Sequence, residues 1–284
     1  MSDETAARAG LSGAASLSKL HQRLLSAIAM IATALLLTWL SPISFALLVF
    51  AIGLLMTWEW SRMVRRRDFD RFTGVQAACL AVALVLTSIG HPLAALALAG
   101  IAAIVLSQVF AQRKLSALGV VYVTVPAIAL VWLRGDPQAG FEVIVFIFAV
   151  VWATDSFAMV FGQNVGGPRL VPSISPNKTW AGAIGGLAAG ALTGAFFALF
   201  VLEGQSLLVG VMLGAFLSVM AQLGDLVESA VKRLTKVKDT SGIIPGHGGV
   251  LDRMDGIVGA AVAAAVLALI VNWQTPAIAV LAGW

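Results

Sequence analysis

The residue types that can do chemistry crowd into two stretches of this chain. Residues 222–256 read QLGDLVESAVKRLTKVKDTSGIIPGHGGVLDRMDG. If the start is helical, Asp225 shares one face with Glu228 and with Ser229. Glu228 and Lys232 stand four apart in the order that favours an ion pair, and a helix end emerging into water accounts for them. After a Pro245-Gly246 turn and His247-Gly248-Gly249, Asp252 and Asp255 repeat the three-residue step. Hard divalent cations such as Mg²⁺ take oxygen ligands, one or two carboxylates with substrate phosphates and water, and Asp225, Asp252 and Asp255 offer that donor type. Glycines 246, 248 and 249 let the backbone come close to a phosphate, and the neighbouring Lys and Arg residues neutralise its charge. One histidine without a nearby cysteine is not a zinc set. No GxxxxGK[ST] phosphate loop and no nucleophile elbow is present.

The second stretch, residues 153–186, reads ATDSFAMVFGQNVGGPRLVPSISPNKTWAGAIGG. Asp155 falls near the end of an apolar run, where burying a carboxylate is costly and points to function or to a partner such as Arg169 or Lys178. Ser173, Ser175, Asn177, Lys178 and Thr179 surround Pro172 and Pro176 just ahead of an expected helix. Hydroxyls, an amide and an ammonium at a helix N-terminus suit an anion; Asn177 or Thr179 also serves as an ordinary N-cap. The residues alone thus describe a metal-dependent, phosphate-handling site. An enzyme and a transporter of phosphorylated solutes both fit it, although no inverted repeat of the transporter kind is visible.

The elements that must position these groups are membrane helices. Of the 284 residues 60% are apolar and 11% charged, against roughly 25% charged in soluble domains, and mean hydropathy is +0.95. A water-soluble fold has no way to hide that much apolar surface. The expected class is all-α and polytopic, with about nine spans near 24–40, 43–60, 73–90, 92–110, 118–133, 141–161, 180–202, 206–227 and 256–273, each close to the roughly 20 residues that cross a bilayer. If nine helices alternate, seventeen of the eighteen Lys and Arg residues lie on one side and Arg134 alone on the other. The positive-inside rule makes that side, and the N-terminus, cytoplasmic.

The chain then divides into a cytoplasmic segment 1–23, N-terminal spans 24–133, and a catalytic region 134–284 with cytoplasmic loops 162–179 and 228–255. The first apolar run is too long for a signal peptide and is read as an uncleaved span. Arg65, Arg66 and Arg67, with Asp68, Asp70 and Arg71, read as a topology determinant facing anionic headgroups. Glu59 is expected to snorkel or to pair with Arg62, His91 to sit in a turn, and Cys79, the single cysteine, to pack inertly.

Residues 229–255, SAVKRLTKVKDTSGIIPGHGGVLDRMD, closely resemble the signature of the phosphatidate cytidylyltransferases, also called CDP-diacylglycerol synthases, in the elements SxxKR, KD, PGHGG and DRxD. GDLVES at 224–229, SPNKT at 175–179 and DSFA at 155–158 are similar to the same family. One departure is Ala181-Gly182, where the family commonly has Glu-Gly. The resemblance implies transfer of the cytidylyl group of CTP to phosphatidic acid within the lipid bilayer of the inner membrane. It also implies Mg²⁺, with a second cation left open, a homodimer, and no nucleic-acid partner. Carried over residue by residue, Asp225, Asp252 and Asp255 hold metal. Lys178, Lys232, Arg233, Lys238 and Arg253 hold the triphosphate or the lipid headgroup. Ser175, Asn177, Thr179, Ser229, Gly248 and Gly249 meet phosphate or metal oxygens, and His247 contacts substrate. Rival enzymes are a cytidylyltransferase for another lipid phosphate and a CTP-dependent polyprenol kinase.

Overall fold

Ser41 ahead of Pro42, Asp70 ahead of Arg71 and Thr179 ahead of Trp180 each accept a hydrogen bond from the first turn of a helix, so three starts are written locally in the sequence. The computed structural model describes residues 25–109, 113–202, 204–237, 240–244 and 248–281. In chain order the helices are α1 (Leu25–Leu40), α2 (Pro42–Arg65), α3 (Arg71–Ser88), α4 (Pro92–Val109), α5 (Arg113–Arg134), α6 (Gly140–Asn164), α7 (Trp180–Phe200), α8 (Leu207–Leu234), α9 (Leu251–Val271) and α10 (Pro276–Leu281). Seven of them, α2, α3 and α5 to α9, are long and apolar enough to cross a bilayer, and α1 and α4 are shorter apolar helices. The protein is an all-α, polytopic membrane protein.

Between α6 and α7 the expected loop is a two-stranded antiparallel hairpin, β1 (Arg169–Val171) and β2 (Ser175–Thr179). Gly166 and Gly167 adopt positive φ and turn the chain out of α6. The turn closes through Ile174 N–H on the Val171 carbonyl at 3.1 Å. The helices also reach further than the apolar runs alone indicate, α8 continuing to Leu234 and α9 starting at Leu251.

Small residues set the helix spacing. A methyl on Gly194 would collide with the Gly210 carbonyl, and one on Gly214 with the Gly190 carbonyl, so α7 and α8 touch backbone to backbone. Inside this contact Thr154 Oγ1 donates to Ser218 Oγ at 2.9 Å, and Ser218 Oγ donates to the Gly186 carbonyl at 3.1 Å. The outer surface is apolar where lipid would lie: Ile101 and Ile104 on α4, Leu192 and Phe200 on α7 and Ile270 on α9 are all exposed. Cys79 is buried and free.

The two ends of the bundle differ. At one, Arg134 is buried and donates through Nε and Nη2 to the Thr38 carbonyl at 2.9 and 2.7 Å, while Asp136 accepts from Ala277 N–H at 3.0 Å. The other end gathers the C-termini of α2, α6 and α8, the N-terminus of α9 and the hairpin. There Arg65 is structural: its guanidinium reaches Asp70 at 2.7 and 2.9 Å and lies 3.8 Å over the Phe72 ring. Burial pushes the Asp70 carboxyl up, but hydrogen bonds from Arg65 and Thr73 outweigh it and hold it below its ordinary value. Arg62 pairs with Asp68 at 3.1 Å, not with Glu59.

Candidate active site

Two glycines bring the carboxylates together. A methyl on Gly224 of α8 would strike the Asp255 carbonyl, and one on Gly259 of α9 would strike the Met220 carbonyl. This close approach sets Asp225 and Glu228 of α8 against Asp255 of α9, with carboxylate oxygens of all three within 4.8 Å of one another. A larger residue at position 259 pushes the helices apart. Gly259→Leu is therefore expected to cut turnover by about 100-fold, the scale of an ångström-sized misplacement of reacting groups. Turnover of the purified variant checks this, and unchanged turnover would show that the spacing does not matter.

Lysines neutralise part of this charge. Lys178 of β2 reaches Asp225 Oδ2 at 2.5 Å, while Ser229 Oγ donates to Asp225 Oδ1 at 3.3 Å. The hairpin is held in that pose by Arg233, whose Nε donates to the Ile174 carbonyl at 3.0 Å, and by Thr179, which is spent on capping α7 through Gly182 N–H at 3.1 Å. On α8 the Glu228–Lys232 pair forms at 2.7 Å. It does not emerge into water as expected: Glu228 is 1% exposed and Lys232 17%, with Asp252 of α9 laid against this turn. Lys232 Nζ also lies 3.1 Å from Asp252 Oδ1.

Asp252 itself stands outside the trio. Its Oδ2 accepts from Gly249 N–H at 3.0 Å and Thr240 N–H at 3.3 Å, so it gathers the loop before α9. Gly248 takes φ +84° and its carbonyl accepts from Ile244 N–H at 3.0 Å. Arg253 is exposed on α9. Asp155, on α6, faces α9 beside Gly256, where a methyl would lie 3.7 Å from its Oδ2; Lys178 and Arg169 bond elsewhere. Ser175 and Asn177 lie on β2, the Asn177 carbonyl accepting from Arg169 Nη1 at 3.1 Å. Lys238 and His247 lie outside the described residues. A cavity of about 340 Å³, lined by Arg62, Met63, Arg66, Arg67, Asp68, Val237 and Thr240, opens beside this loop.

Two acidic residues have roles that sequence reasoning missed. Glu228 was read only as an ion-pair partner, yet it joins the carboxylate trio, and its Oε1 is buried without a hydrogen bond. Glu59 neither snorkels nor pairs with Arg62. It is fully buried and accepts from the N–H groups of Val250 at 2.9 Å and Leu251 at 2.6 Å, and from the hydroxyls of Thr240 and Ser241. Its setting between Trp58 and Trp60 in an apolar run was the available signal.

The trio offers only carboxylate oxygens, with one buried oxygen unpartnered, which is a donor set for a hard divalent cation rather than for zinc. Fold and site together define a membrane-embedded protein with an acidic, lysine-bracketed centre at one end of its bundle.

Comparison with known proteins narrows this class. The profile of the Cytidylyltransferase family matches residues 21–271. The phosphatidate cytidylyltransferase of Brucella abortus biovar 1 (strain 9-941) is 42% identical over 248 residues, 86% of this chain and 92% of that protein. That of Haemophilus influenzae is 34% identical over 278 residues, 85% of this chain and 96% of the relative. That of Bacillus subtilis (strain 168) is 42% identical over 126 residues, 44% of this chain and 47% of the relative. The chain belongs to the cytidylyltransferase family.

Proposed function

We propose that the chain catalyses CTP:phosphatidate cytidylyl transfer, giving CDP-diacylglycerol and pyrophosphate for phospholipid synthesis. The observation that carries the chemistry is the trio Asp225, Glu228 and Asp255 bracketed by Lys178 and Lys232. Relatives covered almost end to end carry the name phosphatidate cytidylyltransferase and favour this substrate pair over another lipid phosphate or a polyprenol.

In the reaction a phosphate oxygen of phosphatidate attacks the α-phosphorus of CTP; the new P–O bond forms as the bond to the departing pyrophosphate breaks. Phosphatidate is already ionised, so no general base is required, and positioning and charge neutralisation supply most of the acceleration. Mg²⁺ held by Asp225, Glu228 and Asp255 would neutralise phosphate charge at the reacting centre. Asp252 keeps the Gly248-Gly249 backbone in place beside the site. Lys178, Lys232, Arg233 and Arg253 are cations on the elements that surround it. Lys238 and His247 stay in the proposal through the motif they belong to.

Nine spans, a cytoplasmic N-terminus, an inner-membrane location with the site on the cytoplasmic side, and a homodimer complete the reading. The Lys and Arg asymmetry supports the orientation.

The test is purified protein in detergent with labelled CTP, phosphatidic acid and Mg²⁺. Labelled CDP-lipid and pyrophosphate are expected in equal amounts, dependent on the divalent cation and abolished by chelation. Failure to form either product would overturn the reading. With a polyprenol supplied in place of phosphatidic acid, phosphorylated polyprenol together with CDP would replace it with the kinase.

A further inference from the structure

We propose that Glu59 of α2, remote in sequence from every motif of the site, is a positioning residue that seats the start of α9 and thereby aims Asp252 and Asp255; the inference rests on the reaction proposed above. Helix α9 begins without a side-chain cap of its own, since Val250 occupies that place. The N–H groups of a helix start need acceptors. Glu59 supplies them from a different helix, taking Val250 N–H on Oε1 at 2.9 Å and Leu251 N–H on Oε2 at 2.6 Å.

The same carboxylate accepts the hydroxyls of Thr240 and Ser241. An ionised carboxylate has about four lone-pair sites, so these donors saturate it. Its negative charge also suits the positive end of the α9 dipole. The loop can lie this close only because position 249 is glycine: a methyl there would meet Glu59 Oε1 at 2.8 Å and Oε2 at 3.0 Å and collide with Thr240 Oγ1. Gly249 N–H in turn donates to Asp252, and Thr240 N–H does the same. The contact is one continuous path from Glu59 through the loop to Asp252, and along the first turn of α9 to Asp255.

Glu59 cannot drift with α2. Its neighbour Trp60 is fully buried, its Nε1 donating to the Leu115 carbonyl at 3.0 Å and its ring lying 5.3 Å from that of Tyr122. Gly119 of α5 leaves the space that the Trp60 indole fills. A rigid α2–α5 wall therefore carries a buried acceptor that registers a loop and a helix start more than 180 residues later in the chain.

Glu59→Gln keeps the shape but replaces one acceptor oxygen by an NH₂ that faces donors. Expected for this variant is a fall in kcat of about 10–100-fold, the range for groups that orient ligands without touching substrate, at unchanged KM for phosphatidate. Amide exchange in the segment that contains Val250 and Leu251 rises with it, while exchange around α10 does not. Unchanged kcat, an effect confined to KM, or unchanged exchange at 250–251 would each overturn the inference. If Glu59→Gln fails to fold, the double variant Thr240→Val, Ser241→Ala removes two donors and leaves the carboxylate. It should lower kcat in the same direction, and wild-type kcat from it would also overturn the inference. Absence of turnover in the wild type would sink the reaction instead, and the exchange measurement would still decide the place of Glu59.

Discussion

Asp255→Asn is expected to lower CDP-diacylglycerol formation by about 100-fold or more, the scale for losing one preorganised charge at a reacting phosphate, while leaving the protein at least as stable as the wild type. Asparagine is nearly isosteric, and its carbonyl can keep the hydrogen bond that Gly256 N–H makes to Asp255 Oδ1 at 2.8 Å. What it removes is one of three carboxylates whose oxygens lie within 4.8 Å of one another. Three carboxylates crowded away from bulk water are costly to keep ionised together, so replacing one by an amide relieves the fold even as it strips the site of a cation ligand. Lower turnover with an unchanged or raised unfolding midpoint is the signature of a group kept for function. Turnover at saturating CTP, phosphatidate and Mg²⁺, with thermal unfolding alongside, checks it. Full activity would remove Asp255 from the site, and a lowered midpoint would make the carboxylate structural.

Lys232→Met has the opposite profile and the second large effect. Lys232 Nζ stands 2.7 Å from Glu228 Oε2 and 3.1 Å from Asp252 Oδ1, with those side chains 1% and 10% exposed. Methionine keeps the length of the stem and deletes the ammonium that bridges the two carboxylates. Leaving buried charge uncompensated costs about 3–5 kcal/mol, so both stability and turnover fall. Adding Glu228→Gln to Lys232→Met removes one of the orphaned charges and is expected to recover part of the stability but none of the turnover. Tryptophan-fluorescence unfolding of the single and double variants measures both effects. A midpoint unchanged in the single variant would show that the pair is solvated after all.

The residues that could be read ahead of the structure are those whose geometry is local. The Ser229–Asp225 and Glu228–Lys232 contacts are i, i+4 relations on one helix, and the three-residue step from Asp225 to Glu228 is equally local. A cap of α7 from Asn177 or Thr179 followed from polar residues ahead of an apolar run, and Thr179 takes it. The membrane class followed from composition, because 60% apolar residues leave a soluble core nowhere to stop.

What escaped was contact between elements. The Lys178–Asp225 pair joins residues that local spacing cannot relate, and so does the Lys232–Asp252 pair. Glu59 looked like an interfacial carboxylate, because nothing in its own helix shows that an uncapped helix start will be laid against it.

By itself the amino-acid sequence determined that this chain crosses membranes as helices and that a phosphate-handling motif of carboxylates, glycines and lysines lies at helix ends. Hydropathy and local spacing are properties of short windows, and both were enough for that. Only the tertiary structure decided which carboxylates share a centre. That choice is made by backbone contacts at Gly224 and Gly259, and by a buried acceptor on α2, where a single methyl or a single lost charge changes how α8, α9 and the loop between them meet.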